Sequence, residues 1–441
     1  MSTNYSQLSV GNFGALFSQL ITPRTLDAIA RKHRKSSAGA PAKLSTFWLI
    51  TGMVFHVLQT CGHLSTHIRQ VTRKKLSDST LSERRQVLGL DLFLSILNSV
   101  LGTLAKVDTQ PRAFYKGFLL TGIDGSCMSV SNAPPIKKSV RKTRSRRGSS
   151  AFFRISMAAI YELGTHNPLA ASIGITGESE MELAINLLPL MREKWLLIAD
   201  RYYGVAKFIF ALQGLKVEIP CLIRVRKNLK SKLIQRFRDG SCLVEVRDST
   251  GQRIILREIH ARVCRRSGRW ISVRFWTTLL DPGLYPAKEL VELYGMRWEQ
   301  ECAYKELKIN LRRESLLLSH TLITAGQEVA CLILAQAIVA RVRISVADDH
   351  APVLQISFIR TLEIFRALWS LAPFIDNLIP ENSWPLLMRN IFGFIVQQQS
   401  PPRRNRSCPR AVRKPVSSWP RLRRNSNVSG LFRYEVIRKH A

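Results

Sequence analysis

The sequence predicts an α/β protein: a mixed sheet flanked by helices, interrupted by a β-rich insertion, with a helical region before it and a helical, basic region after it. Three observations lead there. Short apolar runs rich in β-branched and aromatic residues begin near residue 112. Three of them follow one another and then alternate with helical spacing, the pattern of a mixed sheet rather than a purely parallel one. The preceding stretch carries helical periodicity instead.

Residues 1–110 read as helices, including "TLDAIARKH" and the largely apolar "STFWLITGMVFHVLQ" at 45–59. In "SDSTLSERRQVLG", Thr80 and Glu83 have capping-box spacing, which starts a helix with Arg84 and Arg85 in its first turns. After a basic turn, such a helix suits either a recognition helix or an ordinary surface helix. Strands follow at 118–124, 152–163, 169–176, 195–200 and 219–226, with helices in "ESEMELAINLLPLM" and "YGVAKFIFALQGL". The stretch 137–150, "KKSVRKTRSRRGSS", is crowded with cations, lacks acids and has no apolar face, so it reads as a loop. Residues 227–272 alternate polar and apolar around "RDGS" and "DSTG", as a β-rich insertion would. The divisions are therefore 1–110, 111–226, 227–272, 273–345 and 346–441. The last ends in a tail from 401 with twelve Lys/Arg against one Glu.

Charge narrows the function. There are 66 Lys+Arg against 31 Asp+Glu, a formal net charge of +35. A field of that size attracts polyanions, with nucleic acid foremost and an anionic membrane surface as the rival. Apolar runs such as "VACLILAQAIVA" at 329–340 are shorter than the roughly 20 residues of a span, and no secretory signal is visible. A soluble cytoplasmic protein without a membrane partner is expected. Eight cysteines are scattered singly, without CxxC or a Cys/His cluster, which argues against zinc and a disulfide framework.

The acids stand out in so basic a chain. Asp124 ends the run "LLTGI", and Asp200 ends "WLLIA". A carboxylate at a buried strand end needs compensation. Two of them, with a third on a downstream helix, can hold Mg²⁺ or Mn²⁺ for two-metal phosphoryl transfer. No GxSxG, HExxH or phosphate-binding Gly loop offers another chemistry. In "YGMRWEQECAYKELK", Tyr294, Arg297, Glu301 and Lys308 fall within about 60° of one another on an ideal helix. Such a stripe suits either solvent or a phosphate backbone with a metal.

"IDGS", "ADRYYG" and "YGMRWEQECAYKELK" together resemble the DDE transposases of bacterial insertion sequences, in the IS-four-like branch with the Tyr-(2)-Arg-(3)-Glu-(6)-Lys signature. That resemblance implies a ribonuclease-H-like core, and a metal-binding catalytic triad of Asp124, Asp200 and Glu301 with two Mg²⁺ or Mn²⁺ ions. It further implies that Tyr294, Arg297 and Lys308 hold phosphates of the transposon end. A tryptophan would stack on a flipped base, with Trp276 the first candidate and Trp298 or Trp270 the others. Arg201 would contact DNA or pair with an acid, while Arg84 and Arg85 would serve a helical N-terminal DNA-binding domain. Tyr202 stands where relatives often have a small residue. The implied function is cut-and-paste transposition in a bacterial cytoplasm. It would proceed through a homodimer on double-stranded DNA, cleaving inverted-repeat ends and joining them to target DNA. A nuclease or resolvase on the same core, and an inactive DNA-binding regulator, are the alternatives.

Overall fold

A computed structural model describes residues 23–32 and 46–400, apart from 60–62, 73, 143, 146–147, 227, 249, 265–269, 313–315, 348–351, 376–379 and 381–382. The basic tail from 401 lies outside the described residues. Five helices open the chain: α1 (Pro23–Lys32), α2 (Thr46–Gln59), α3 (Leu64–Thr72), α4 (Asp78–Leu88) and α5 (Asp91–Val100). The α4 cap differs from the expected box. Ser77 is the N-cap, its hydroxyl accepting the Thr80 N–H at 3.2 Å, so Thr80 lies inside the helix.

The sheet begins with β1 (Phe118–Val130), β2 (Phe153–Glu162) and β3 (Pro168–Gly174). Helix α6 (Glu180–Ile185) leads to β4 (Trp195–Ala199), and α7 (Ala206–Gln213) to β5 (Cys221–Arg224). The stretch 227–272, expected as an insertion, supplies β6 (Lys232–Arg236), β7 (Cys242–Arg247), β8 (Arg253–Cys264) and the first residues of β9 (Trp270–Thr277). The spatial order is β3-β2-β1-β4-β5-β9-β8-β7-β6. β1 pairs antiparallel with β2 and parallel with β4, and β4 is parallel with β5. The insertion does not fold apart from this sheet. β9 pairs antiparallel with β5, so the inserted strands extend it.

Around residues 137–150 the expected loop is partly ordered. A short helix spans Pro134–Ser139, anchored by fully buried Ile136, and Arg144–Ser145 pairs with Gly148–Ser149. The single apolar anchor was too brief a signal to read as an element.

After the sheet, α8 (Ala287–Leu293) continues through a 3₁₀ turn, Tyr294–Met296, into α9 (Arg297–Lys305) and then a π-helical turn, Glu306–Leu311. α10 (Leu322–Ala347), α11 (Phe358–Ile375) and α12 (Trp384–Gln397) complete the described chain. α10 is long and apolar enough to cross a membrane, longer than the run read from sequence, but 89% of its most apolar window is buried inside the protein. It is the axis of a core shared by α2, α5 and one face of β1 and β2. On the other face, α6 and α7 cover Ile123, Leu197 and Ala199. Period-2 alternation separates the two faces. Leu120, Leu196 and Ile198 instead meet α8.

Candidate active site

Sheet pairing brings the two aspartates together. The parallel register of β1 and β4 ends on the pair Ile123 and Ala199. Asp124 and Asp200 are the next residues on each chain, so they stand side by side on neighbouring strands, which run about 4.8 Å apart. By alternation they share the face of Leu120 and Ile198, the one covered by α8 and α9. Asp124 does not end its strand as its sequence run predicts, because β1 continues to Val130. It lies instead where the shorter β4 stops, at the carboxyl ends of β4 and β5, the edge where open α/β sheets bind ligands.

Backbone amides orient both carboxylates. Asp124 Oδ1 accepts from the Gly125 N–H at 2.9 Å, and Asp200 Oδ1 from the Tyr202 N–H at 2.6 Å. Burial pushes the Asp124 carboxyl up to about 7, helped by the charges of Asp200 and Glu180 and opposed by the Gly125 amide and Arg297. The carboxylate is short of positive charge within a strongly positive protein.

α9 is tied down over this pair. The Tyr304 hydroxyl donates to the Asp124 carbonyl oxygen at 2.6 Å, and Gln300 reaches the Ala159 carbonyl oxygen of β2 at 3.3 Å. Arg297 forms an i,i+4 ion pair with Glu301, and its charge also reaches Asp124. Tyr294 packs on Phe275 with ring centroids 4.7 Å apart, and its phenol is pushed up by burial. Lys308 is half-buried in the π turn, whose wider winding interrupts the ideal stripe before that residue. Glu301 is held by Arg297 rather than by the aspartates. Among the described residues, no three His, Cys, Asp or Glu side chains are grouped to hold a metal.

A buried charge network fixes the far side of the same helix. His166, at φ 61° in the β2–β3 turn, meets Glu299 at 2.9 Å and Glu306 at 3.0 Å, and Arg343 of α10 meets Glu306 at 3.1 Å. Burial opposes charge on His166, but the two glutamates raise its pKa above the usual value. Glu306 is lowered by His166 and Arg343 despite burial.

Three sequence-based assignments are corrected. Trp276 is 1% exposed, faces α7 across the opposite side of the sheet, and donates its indole N–H to Glu258 at 2.7 Å. It is a core residue with no free face for a base. Trp298 and Trp270 are exposed, at 46% and 62%. Arg85 does not face outward. It donates to the Thr324 carbonyl oxygen at 2.7 Å, Ser319 Oγ at 3.0 Å and Gln327 Oε1 at 3.3 Å, which docks α4 on α10. The ideal stripe is the third, altered by the 3₁₀ and π turns. Arg84 is half-buried, and Arg201 is exposed beside Asp200.

Sequence reasoning missed Glu180. It approaches from the other face, accepts the Tyr203 hydroxyl at 2.9 Å, and lies so close to Gly125 that a Cβ there would sit 2.1 Å from its Cγ. The Ser179/Glu182 capping box marked its helix in the sequence, but only the fold places it beside Asp124.

Residues 118–335 match the family model of the transposase DDE domain. Over 385 residues, 85% of each chain, the sequence is 24% identical to the transposase InsG for insertion sequence element IS4 of Escherichia coli (strain K12). A solved structure, the piggyBac transposase synaptic complex with hairpin DNA, is similar at TM-score 0.43 and 13% identity, covering 89% of this chain and 86% of that one. Both aspartates and the Tyr-Arg-Glu-Lys residues lie inside the matched span, so residues 118–335 form a transposase DDE domain, in a chain similar to the transposase of an IS4 element.

Proposed function

We propose that the protein is a cut-and-paste transposase that binds the terminal inverted repeats of its own element as a homodimer, cleaves their ends and joins them to target DNA. The juxtaposition of Asp124 and Asp200 beneath the Arg297–Glu301 pair carries this reading. The core is read as ribonuclease-H-like on the order β3-β2-β1-β4-β5, in which only β2 runs antiparallel. The helices of residues 1–110 are assigned to end recognition, with Arg84 toward the phosphates, and 227–272 to an insertion in the catalytic unit.

The residues present fit a divalent cation. Asp124 and Asp200 are hard oxygen donors on adjacent strands, and burial disfavours the charge on Asp124, which suits Mg²⁺ or Mn²⁺. Asp124, Asp200 and Glu301 would hold the metal, which supplies activation of a water or hydroxyl and stabilisation of the leaving oxygen. Arg297, Tyr294 and Lys308 bind and orient the phosphates; Arg297 can exchange its carboxylate partner for a phosphate with the same two-pronged geometry. Joining forms a bond from the 3′-hydroxyl oxygen to a target phosphorus as the target P–O3′ bond breaks.

Incubation with end-bearing duplex, target plasmid and Mg²⁺ tests the proposal. Joined end–target product is the predicted outcome; hydrolysed ends without joining favour a nuclease, and bound but intact DNA favours an inactive regulator.

A further inference from the structure

A histidine with a positive φ stands at the centre of the buried charge network behind α9. His166, at φ 61°, lies in the turn between β2 and β3. Left-handed backbone is costly for a residue with a Cβ and persists where its surroundings over-determine it. Three hydrogen bonds do so here. The His166 N–H donates to the Glu162 carbonyl oxygen at 2.9 Å, Asn167 Nδ2 to the Gly102 carbonyl oxygen at 2.9 Å, and the Leu104 N–H to Glu162 Oε1 at 2.7 Å. The turn thereby aims the imidazole at α9. Nε2 meets Glu299 and Nδ1 meets Glu306, while Arg343 of α10, fixed by the carbonyl oxygens of Ile356 and Val353, closes on Glu306. All four side chains are buried. With the imidazole protonated, as the two glutamates favour, two positive and two negative charges balance.

Such a network seldom adds net stability over apolar packing of the same shape, but it admits few arrangements. What it fixes is the segment around Glu301. Glu299 lies two residues before Glu301, about 200° around the helix, so anchoring Glu299 to His166 turns Glu301 to the opposite side, where it pairs with Arg297. Glu306 opens the π turn that carries Lys308. Gln336 of α10 adds a second tie by donating to the Ala303 carbonyl oxygen at 2.9 Å. π turns are rare and recur at functional sites. Rewinding this one to α geometry would rotate the residues beyond it by up to about 100° relative to Glu301.

We propose that His166 is a positioning residue for DNA cleavage: through Glu299 and Glu306 it holds α9 and the π turn in the arrangement that presents Glu301 and Lys308 together to the reacting strand. The inference rests on the transposase reading and adds to it a residue that touches neither DNA nor metal.

Two readouts separate this role from a merely structural one. Single-turnover cleavage of end-bearing duplex at saturating DNA reports the rate, and hydrogen exchange of amides 303–311 in the free protein reports the π turn. His166→Ala is compared with Leu256→Ala, a buried change on β8 in the core of the opposite face, each assayed at the same interval below its own Tm. A misplacement of about 1 Å costs about 10²-fold, so cleavage by His166→Ala should fall about 10²-fold while DNA affinity in EDTA falls about threefold at most. Exchange at 303–311 should quicken about tenfold or more. Leu256→Ala should keep the wild-type rate and the wild-type exchange in that segment. Glu299→Gln leaves an oxygen for the imidazole N–H and should recover most of the rate that Glu299→Ala loses; this pair decides the matter if His166→Ala does not fold. A rate in His166→Ala equal to that of Leu256→Ala, or unaltered exchange at 303–311, overturns the positioning role and leaves the transposase reading standing. Equal rates in Glu299→Ala and wild type overturn it likewise. Failure of the wild-type protein to cleave the duplex in Mg²⁺ overturns both.

Discussion

Asp124 and Asp200 each follow directly on the last paired residues of two adjacent parallel strands, Ile123 and Ala199. Their backbone positions are thus set side by side by strand pairing, and the two residues cannot be moved apart along the sheet without breaking the register of β1 and β4. A divalent cation binding the folded but not the unfolded chain raises the melting temperature by mass action. Millimolar Mg²⁺ or Mn²⁺ should therefore raise the Tm of the wild-type protein by several degrees, and Asp124→Asn or Asp200→Asn should abolish that rise. An equal rise in the variants would place the metal elsewhere.

Arg297 holds Glu301 in the absence of DNA. Arg297→Ala should weaken end-DNA binding about tenfold, and Arg297→Lys should recover only part of it, because an ammonium cannot reproduce the two-pronged contact. Full recovery by Lys in an equilibrium binding assay would reduce the role of Arg297 to that of a point charge.

The His166 network has a defined pH signature. His166 has a raised folded-state pKa, so its contribution is complete below the unfolded value near 6.5 and is lost as pH rises through the folded value. Glu306 is lowered, so its contribution is present above 4.5 and is lost as pH falls through the folded value. Stability should be greatest between those limits. His166→Gln should lower Tm at pH 6 and flatten the decline above neutrality. A variant with the same alkaline slope as wild type would show that the decline belongs to other groups.

Replacing Trp276 should act through stability. Trp276→Ala removes a buried indole and one of the hydrogen bonds to Glu258, at a cost of about 3–5 kcal/mol. Trp298→Ala, at an exposed site, should leave Tm within about 1 °C of wild type, since surface changes cost about 0.5 kcal/mol or less. Chemical denaturation separates the two. Equal stability of both variants would contradict the core placement of Trp276.

What the sequence made legible was largely local. Period-2 apolar runs marked the core strands, and the spacing of the signature placed Arg297 and Glu301 one turn apart, where the ion pair forms. The remainder depends on partners distant along the chain. Whether Trp276 points to core or groove is set by the phase of the β9–β5 pairing, and the Trp residue looks the same in either case. The acceptors for Arg85 lie 234–242 positions away. Beyond Asp124, "GSCMSV" carries too little apolar pattern to reveal that the strand continues. The π turn has no sequence marker of its own; it begins at Glu306, the residue gripped by His166 and Arg343.

The most direct measurement is Mg²⁺-dependent cleavage of end-bearing DNA by Asp124→Ala, Asp200→Ala and Glu301→Ala, each checked for DNA binding. Loss of several kcal/mol of metal-dependent stabilisation corresponds to a rate drop of about 10³-fold or more in every variant, with binding near wild type. Cleavage that persists in any of the three at a wild-type rate would contradict the assignment of these acids as one catalytic centre.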